Sequence, residues 1–150
     1  ELQDAVELCR QNPETIFMLD HCGNADPYVV NGQRRHDISS SDSTFVHTKE
    51  NWQEGIRQLG RLDNVYCKIS GIISRAETGW NAKTLAPTVN ACLDAFGEDR
   101  VVFGGDWPVC TLGAILSEWV AVLRQIIHNR PEIQQEKLFH INAGRLYNLE

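Results

Sequence analysis

The stretch Val101-Val102-Phe103-Gly104-Gly105-Asp106-Trp107-Pro108-Val109 decides the fold. Three apolar, β-prone residues run into two glycines, a carboxylate and Trp-Pro. A buried strand therefore ends here in a sharp turn that carries an acid at its rim. The same layout occurs earlier, in Phe17-Met18-Leu19-Asp20-His21-Cys22-Gly23, and between the two lies Val65-Tyr66-Cys67-Lys68-Ile69-Ser70-Gly71. All three segments close on polar or titratable residues beside glycine. In parallel α/β proteins the carboxyl ends of strands, and the loops that follow them, carry the catalytic groups. The pattern predicts an enzyme with His21 and Asp106 in its site.

Helical patterns separate these strands. Leu2, Val6 and Cys9 form a stripe that Asn12-Pro13 ends, and Trp52, Ile56 and Leu59 recur at i, i+4 and i+7. Leu85, Val89, Cys92, Leu93 and Phe96 form a third stripe, with Gly97 as its C-terminal cap. Ile115, Trp119, Val122, Leu123, Ile126 and Ile127 form a fourth. A last helix is expected from Pro131 through Leu138, Ile141, Leu146 and Tyr147. The order α-β-loop-α-β-α-β-α-α calls for parallel strands with helices packed outside. Three such strands leave a sheet open that is normally covered on both faces. The chain thus reads as α/β, the last three-eighths of an eight-stranded βα barrel, with residues 1–150 forming one partial domain. Residues 24–49 show no periodicity and far exceed the usual βα loop of about 2–6 residues. They are expected to form a long loop, a candidate lid whose Arg34, Arg35, His36 and His47 either lie on a solvated surface or grip an acid-bearing substrate.

Composition narrows the function classes. The 42% hydrophobic content of the 150 residues suffices for one core of ordinary domain size. The 20 acids against 14 bases include no basic stripe, which argues against nucleic acid as a partner. No apolar run approaches the roughly 20 residues that cross a bilayer. The start, Glu1-Leu2-Gln3-Asp4-Ala5-Val6-Glu7-Leu8, is acidic and amphipathic, unlike a signal peptide. Five irregularly spaced cysteines without a Cys-x-x-Cys pair are expected to be free thiols in a reducing, cytoplasmic compartment. Cys92 reads as core filling, and Cys22 and Cys67 as small residues packed near strand ends.

Four ordered motifs carry a resemblance: Leu19-Asp20-His21-Cys22-Gly23, Asn64-Val65-Tyr66-Cys67-Lys68-Ile69-Ser70-Gly71, Val102-Phe103-Gly104-Gly105-Asp106-Trp107-Pro108 and Asn142-Ala143-Gly144-Arg145-Leu146-Tyr147. Together they resemble the amidohydrolase-related family of sugar-lactone and pyrone-dicarboxylate lactone hydrolases, over nearly the whole chain apart from the long loop. The resemblance implies part of a TIM barrel, namely its C-terminal portion. It further implies a hydrolase in which Asp106 takes a proton from the hydrolytic water, while His21 binds a divalent metal such as zinc or polarises the substrate carbonyl. Asp106 is a second implied metal ligand. The family's His-x-His pair has no counterpart among His21, His36, His47, His128 and His140.

Each residue also has a plainer reading. Asp106 could cap the turn or helix that follows, and His21 could be a satisfied histidine at a strand end. Lys68 needs a partner in a buried strand, so it pairs with a carboxylate or meets an anionic group. Ser70 and Arg75, just past the second strand, are candidates to contact substrate hydroxyls or a carboxylate. Trp107 either packs beside Pro108 or stacks on a sugar ring, and Arg34 would act from the loop. The substrate that the resemblance implies is a small sugar lactone or carboxylated lactone. Two other functions stay open: a non-catalytic barrel fragment that assembles with another chain or as an oligomer, and a decarboxylase of the same superfamily.

Overall fold

The computed structural model describes residues 1–33 and 47–149. Helix α1 (Leu2–Gln11) leads into strand β1 (Phe17–Leu19). A tight turn and a single helical turn, Pro27–Val30, follow. Helix α2 (Lys49–Gly60), capped by the Thr48 hydroxyl, precedes β2 (Val65–Ile69) and a 3-10 turn, Ile72–Arg75. Helix α3 (Ala82–Phe96) precedes β3 (Val101–Phe103), a second 3-10 turn, Val109–Leu112, and α4 (Leu116–Ile127). The chain closes with α5 (Glu132–Glu136), one π turn, Lys137–Ile141, and α6 (Asn142–Tyr147).

The three strands are parallel in the order β1-β2-β3, with Leu19 opposite Cys67 and Cys67 opposite Val101. Their carboxyl ends therefore finish side by side. Along β2 the side chains alternate: Val65, Cys67 and Ile69 are buried, whereas Tyr66 and Lys68 are half-buried. The buried set meets the core of Trp52, Ile56, Leu59, Leu85, Val89 and Cys92 from α2 and α3. The other set lines the opposite, more open face, where Val102 of β3 is nonetheless buried. The expected alternation and the helical stripes are observed, including Gly97 as the cap of α3, at φ 72°.

Polar side chains tie the strand entrances to the helices. Asn64 Nδ2 donates to the carbonyls of Cys9, Asn12 and Thr15. The Arg100 guanidinium donates to those of Gly60, Leu62 and Val65, and Asn142 Nδ2 to those of Glu98 and Val101. Three expectations are corrected. The last helix is not continuous: the π turn breaks it, which lets Leu138 bury and Asn142 reach the entrance of β3. The first strand stops at Leu19, short of Asp20, because the backbone turns left-handed at His21. The start of the long loop is ordered, because Asp26 caps the turn Pro27–Val30 through the Tyr28 and Val29 amides.

Helices α2 and α3 touch at Gly60, where an added Cβ would lie 2.4 Å from the Ala95 carbonyl oxygen. The obstacle is backbone and cannot swing away. Gly60→Ala is expected to destabilise the fold by about 1–3 kcal/mol, read as a lower urea midpoint at unchanged slope.

Candidate functional site

The loops leaving the three strands build the site. After β1 the backbone does what few L-residues do. His21, Cys22, Gly23 and Asn24 all take positive φ, at 53°, 53°, 68° and 58°, which makes one left-handed turn. Each non-glycine residue there costs about 1–2 kcal/mol against the right-handed alternative. The turn is braced. The Gly23 amide donates to the Asp20 carbonyl, the Ala25 amide to that of His21, and the buried Trp52 indole donates to that of Cys22 at 2.8 Å. Asp106, after β3, has φ 53° as well. Strain of this kind collects at functional sites. Among the described residues His21 and Asp106 belong to the five non-glycine positions that carry it.

These strand-end residues are linked across the sheet. His21 Nδ1 lies 2.8 Å from Ser70 Oγ. The ring rests on Gly71, whose added Cβ would come within 2.5 Å of Nδ1 and whose φ of 68° suits glycine. Ser70 in turn packs on Gly104, where a Cβ would lie 3.2 Å from its own and 2.9 Å from Lys68 Cδ. Two residues beyond Gly104 stands Asp106, half-buried, its carboxylate without a hydrogen bond among the described residues. Lys68 Nζ lies 2.5 Å from Asp20 Oδ1. Burial would lower the pKa of Lys68, but the hydrogen bond and charge of Asp20, with the nearby Tyr147 and Asp106, outweigh it and raise the pKa. Lys68 is thus a firm cation on the open face of the sheet.

The remaining candidates divide. Ser70, expected at the substrate, is buried to 1% exposure and commits its hydroxyl to His21. Arg75 ends the 3-10 turn after β2 and makes no hydrogen bond or ion pair among the described residues. Trp107, on the cis peptide before Pro108, is 73% exposed. It opens an apolar rim that continues through Val109, Leu112 and Ile115. Arg34, with Arg35 and His36, lies outside the described residues. The thiols of Cys22, Cys67 and Cys92 meet behind the sheet. The neighbouring Cys22 and Cys67 thiols, together with burial, push Cys92 well above the ordinary thiol range, so it is an inert packing group.

His47 is a residue whose place the sequence does not reveal. Its Nε2 accepts from the Asp26 amide at 3.0 Å, so it joins the two ends of the long loop, and its ring lies beside Trp52. The only local signal is its position just before the Thr48 cap.

Comparison with known proteins shows where these motifs recur. The model of the amidohydrolase family matches residues 2–149. The chain belongs to the amidohydrolase family. An L-fucono-1,5-lactonase of Burkholderia multivorans is 30% identical over 155 residues, which cover 99% of this chain and 48% of the relative. An L-rhamnono-gamma-lactonase of Scheffersomyces stipitis is 20% identical, with 99% and 45% covered. An amidohydrolase structure from Burkholderia multivorans with bound zinc superposes with a TM-score of 0.79 at 29% identity, covering 99% of this chain and 49% of that one. This amidohydrolase-family chain thus spans about half the length of the curated relatives it matches, and its three parallel strands and outer helices form part of the family's barrel. No helix among the described residues is long and apolar enough to cross a membrane.

The zinc in that structure raises the question of whether these residues could hold one. A catalytic zinc takes three protein ligands. His21 and Asp106 offer two, and no three His, Cys, Asp or Glu residues among those described are grouped to hold a metal. The described residues do not make a zinc site on their own.

Burial lowers the pKa of His47 below its ordinary 6.5, Arg75 adds to this, and the Thr48 carbonyl and Asp26 oppose it. The folded protein thus prefers uncharged His47, whose Nε2 can accept. Protonation removes that acceptor, so this contribution to stability is present above about pH 6.5 and is lost as the pH falls below it. Urea titrations of the parent and of His47→Gln, which does not titrate, should show the parent's relative stability dropping between about pH 7 and 5.

Proposed function

We propose that this chain carries the base and the carbonyl-polarising group of a lactone hydrolase. The observation that carries the reading is that two strained residues stand at the carboxyl ends of β1 and β3, on either side of β2. Asp106 offers a half-buried carboxylate with no hydrogen bond among the described residues. His21 offers a ring anchored on one side by Ser70 and Gly71. The lactonase relatives support the substrate class.

In this reading Asp106 accepts a proton from water as its oxygen attacks the lactone carbonyl. His21 hydrogen-bonds the carbonyl oxygen, which gains negative charge in the tetrahedral intermediate. Lys68, held by Asp20, adds a fixed positive charge from the open face of the sheet. When the intermediate collapses, the ring C–O bond breaks and the proton on Asp106 passes to the leaving oxygen, giving the open hydroxy acid. Arg75 meets a substrate carboxylate, and the exposed Trp107 stacks on a sugar ring. The open three-stranded sheet, about half of the related barrel chain, favours a site completed by further barrel strands, either of the same protein or of another chain.

In the intact protein Asp106→Asn keeps the shape of the side chain and removes the base. It should lower kcat on a sugar lactone by about 10²–10⁴-fold, with a smaller effect on KM. His21→Asn should also lower kcat. If Asp106→Asn turned over within about threefold of the parent, well short of that general-base range, Asp106 would be only a turn residue.

A further inference from the structure

The two ring nitrogens of His21 stand in different surroundings. Nδ1 faces Ser70 Oγ at 2.8 Å and the bare Cα of Gly71. Nε2 has no hydrogen-bond partner among the described residues. Ser70 is 1% exposed, and its hydroxyl makes no other hydrogen bond among the described residues. That isolation decides which atom donates. If Nδ1–H were the donor, the hydroxyl proton would be buried with nothing to accept it, the costly way to bury a polar group. If Oγ–H donates to Nδ1, every proton in the pair is used and only a hydroxyl lone pair goes unmatched.

The type of residue at position 70 bears on the same point. A carboxylate or a backbone carbonyl can only accept, so either would force the proton onto Nδ1. A hydroxyl can donate and so permits the opposite tautomer. The hydroxyl is also firmly placed, because Ser70 continues the alternation of β2 onto the open face and packs against Gly104.

We propose that Ser70 is a positioning residue that donates its hydroxyl proton to Nδ1 and holds His21 as the Nε2–H tautomer, a hydrogen-bond donor to the carbonyl oxygen of the substrate. The proposal rests on the reading of His21 as the carbonyl-polarising group. It also separates two uses of this histidine. A metal ligated through Nε2 needs that nitrogen's lone pair and a proton on Nδ1. The Ser70 bond favours the other distribution.

The test reads the proton directly. The intact protein is labelled with 15N-histidine and kept at about pH 8, where imidazole is uncharged. Long-range 1H–15N correlation NMR then assigns each nitrogen as protonated or bare, and the signals lost in His21→Asn identify the residue. The parent should show a bare Nδ1 and a protonated Nε2. Ser70→Ala should show a mixture of tautomers. Its kcat on a lactone should fall about tenfold to a hundredfold, with KM near the parental value. Ser70→Thr, which keeps the hydroxyl, should restore the single tautomer. A protonated Nδ1 in the parent overturns the proposal, as does a Ser70→Ala variant with the parental tautomer and kcat. With His21→Asn inactive, a protonated Nδ1 would leave the lactonase reading standing and remove only the tautomer. A His21→Asn variant that hydrolysed lactone at the parental rate would remove the carbonyl role itself.

Discussion

The alternation of β2 is the constraint on which the rest of the structure depends. With β1 on one side and β3 on the other, this strand can be satisfied only if Val65, Cys67 and Ile69 all face the helices. A slip of one residue would put Lys68 into a fully apolar layer and turn Cys67 outward, which a sheet buried on one face does not tolerate. The register that results brings Asp20, Ser70 and Gly104 to one end. Hydrogen bonds from Asn64, Arg100 and Asn142 at the opposite end hold the strand entrances against the helices. One end of the sheet is thus stapled, and the other is left to turn sharply and present side chains.

Those turns are where the fold departs from low-energy backbone. The left-handed turn after β1 puts two bulky residues, His21 and Cys22, in a conformation that L-residues avoid. It persists because its neighbours leave no better choice. Cys22 is fully buried, Trp52 holds its carbonyl, and Gly23 packs against Leu2 and Ile56. The hydrophobic contacts of α1 and α2 therefore do more than stabilise a core. They hold His21 in place on Gly71 and Ser70.

The charges on the open face follow the same economy. Lys68 sits in a strand whose alternate residues are buried, and Asp20, one strand away, satisfies it. The pair places a cation in electrostatic reach of Asp106, although neither partner bonds that carboxylate directly. Among the described residues the Asp106 carboxylate accepts no hydrogen bond, which suits the role proposed for it. The thiols of Cys22, Cys67 and Cys92 are all buried.

Much of this was legible from residue order. Period-two runs bounded by glycine mark the strands, and stripes at helical spacing mark the helices, because burial acts on each element locally. The ends of those strands name His21 and Asp106 for the same reason, since in a parallel sheet the chain must leave each strand through a loop. What depends on distance in space is not legible. The sequence separates Ser70 from His21 by 49 positions and His47 from Asp26 by 21, and no periodicity ties either pair. Ser70 reads as a residue for substrate until the sheet register turns its hydroxyl onto an imidazole, and His47 reads as loop surface until folding brings its ring beside Trp52. Local patterning sets which segments become strands and helices, because it reflects burial along one element. Which nitrogen of His21 is held, and which carboxylate remains unbonded, is settled by register and packing between elements.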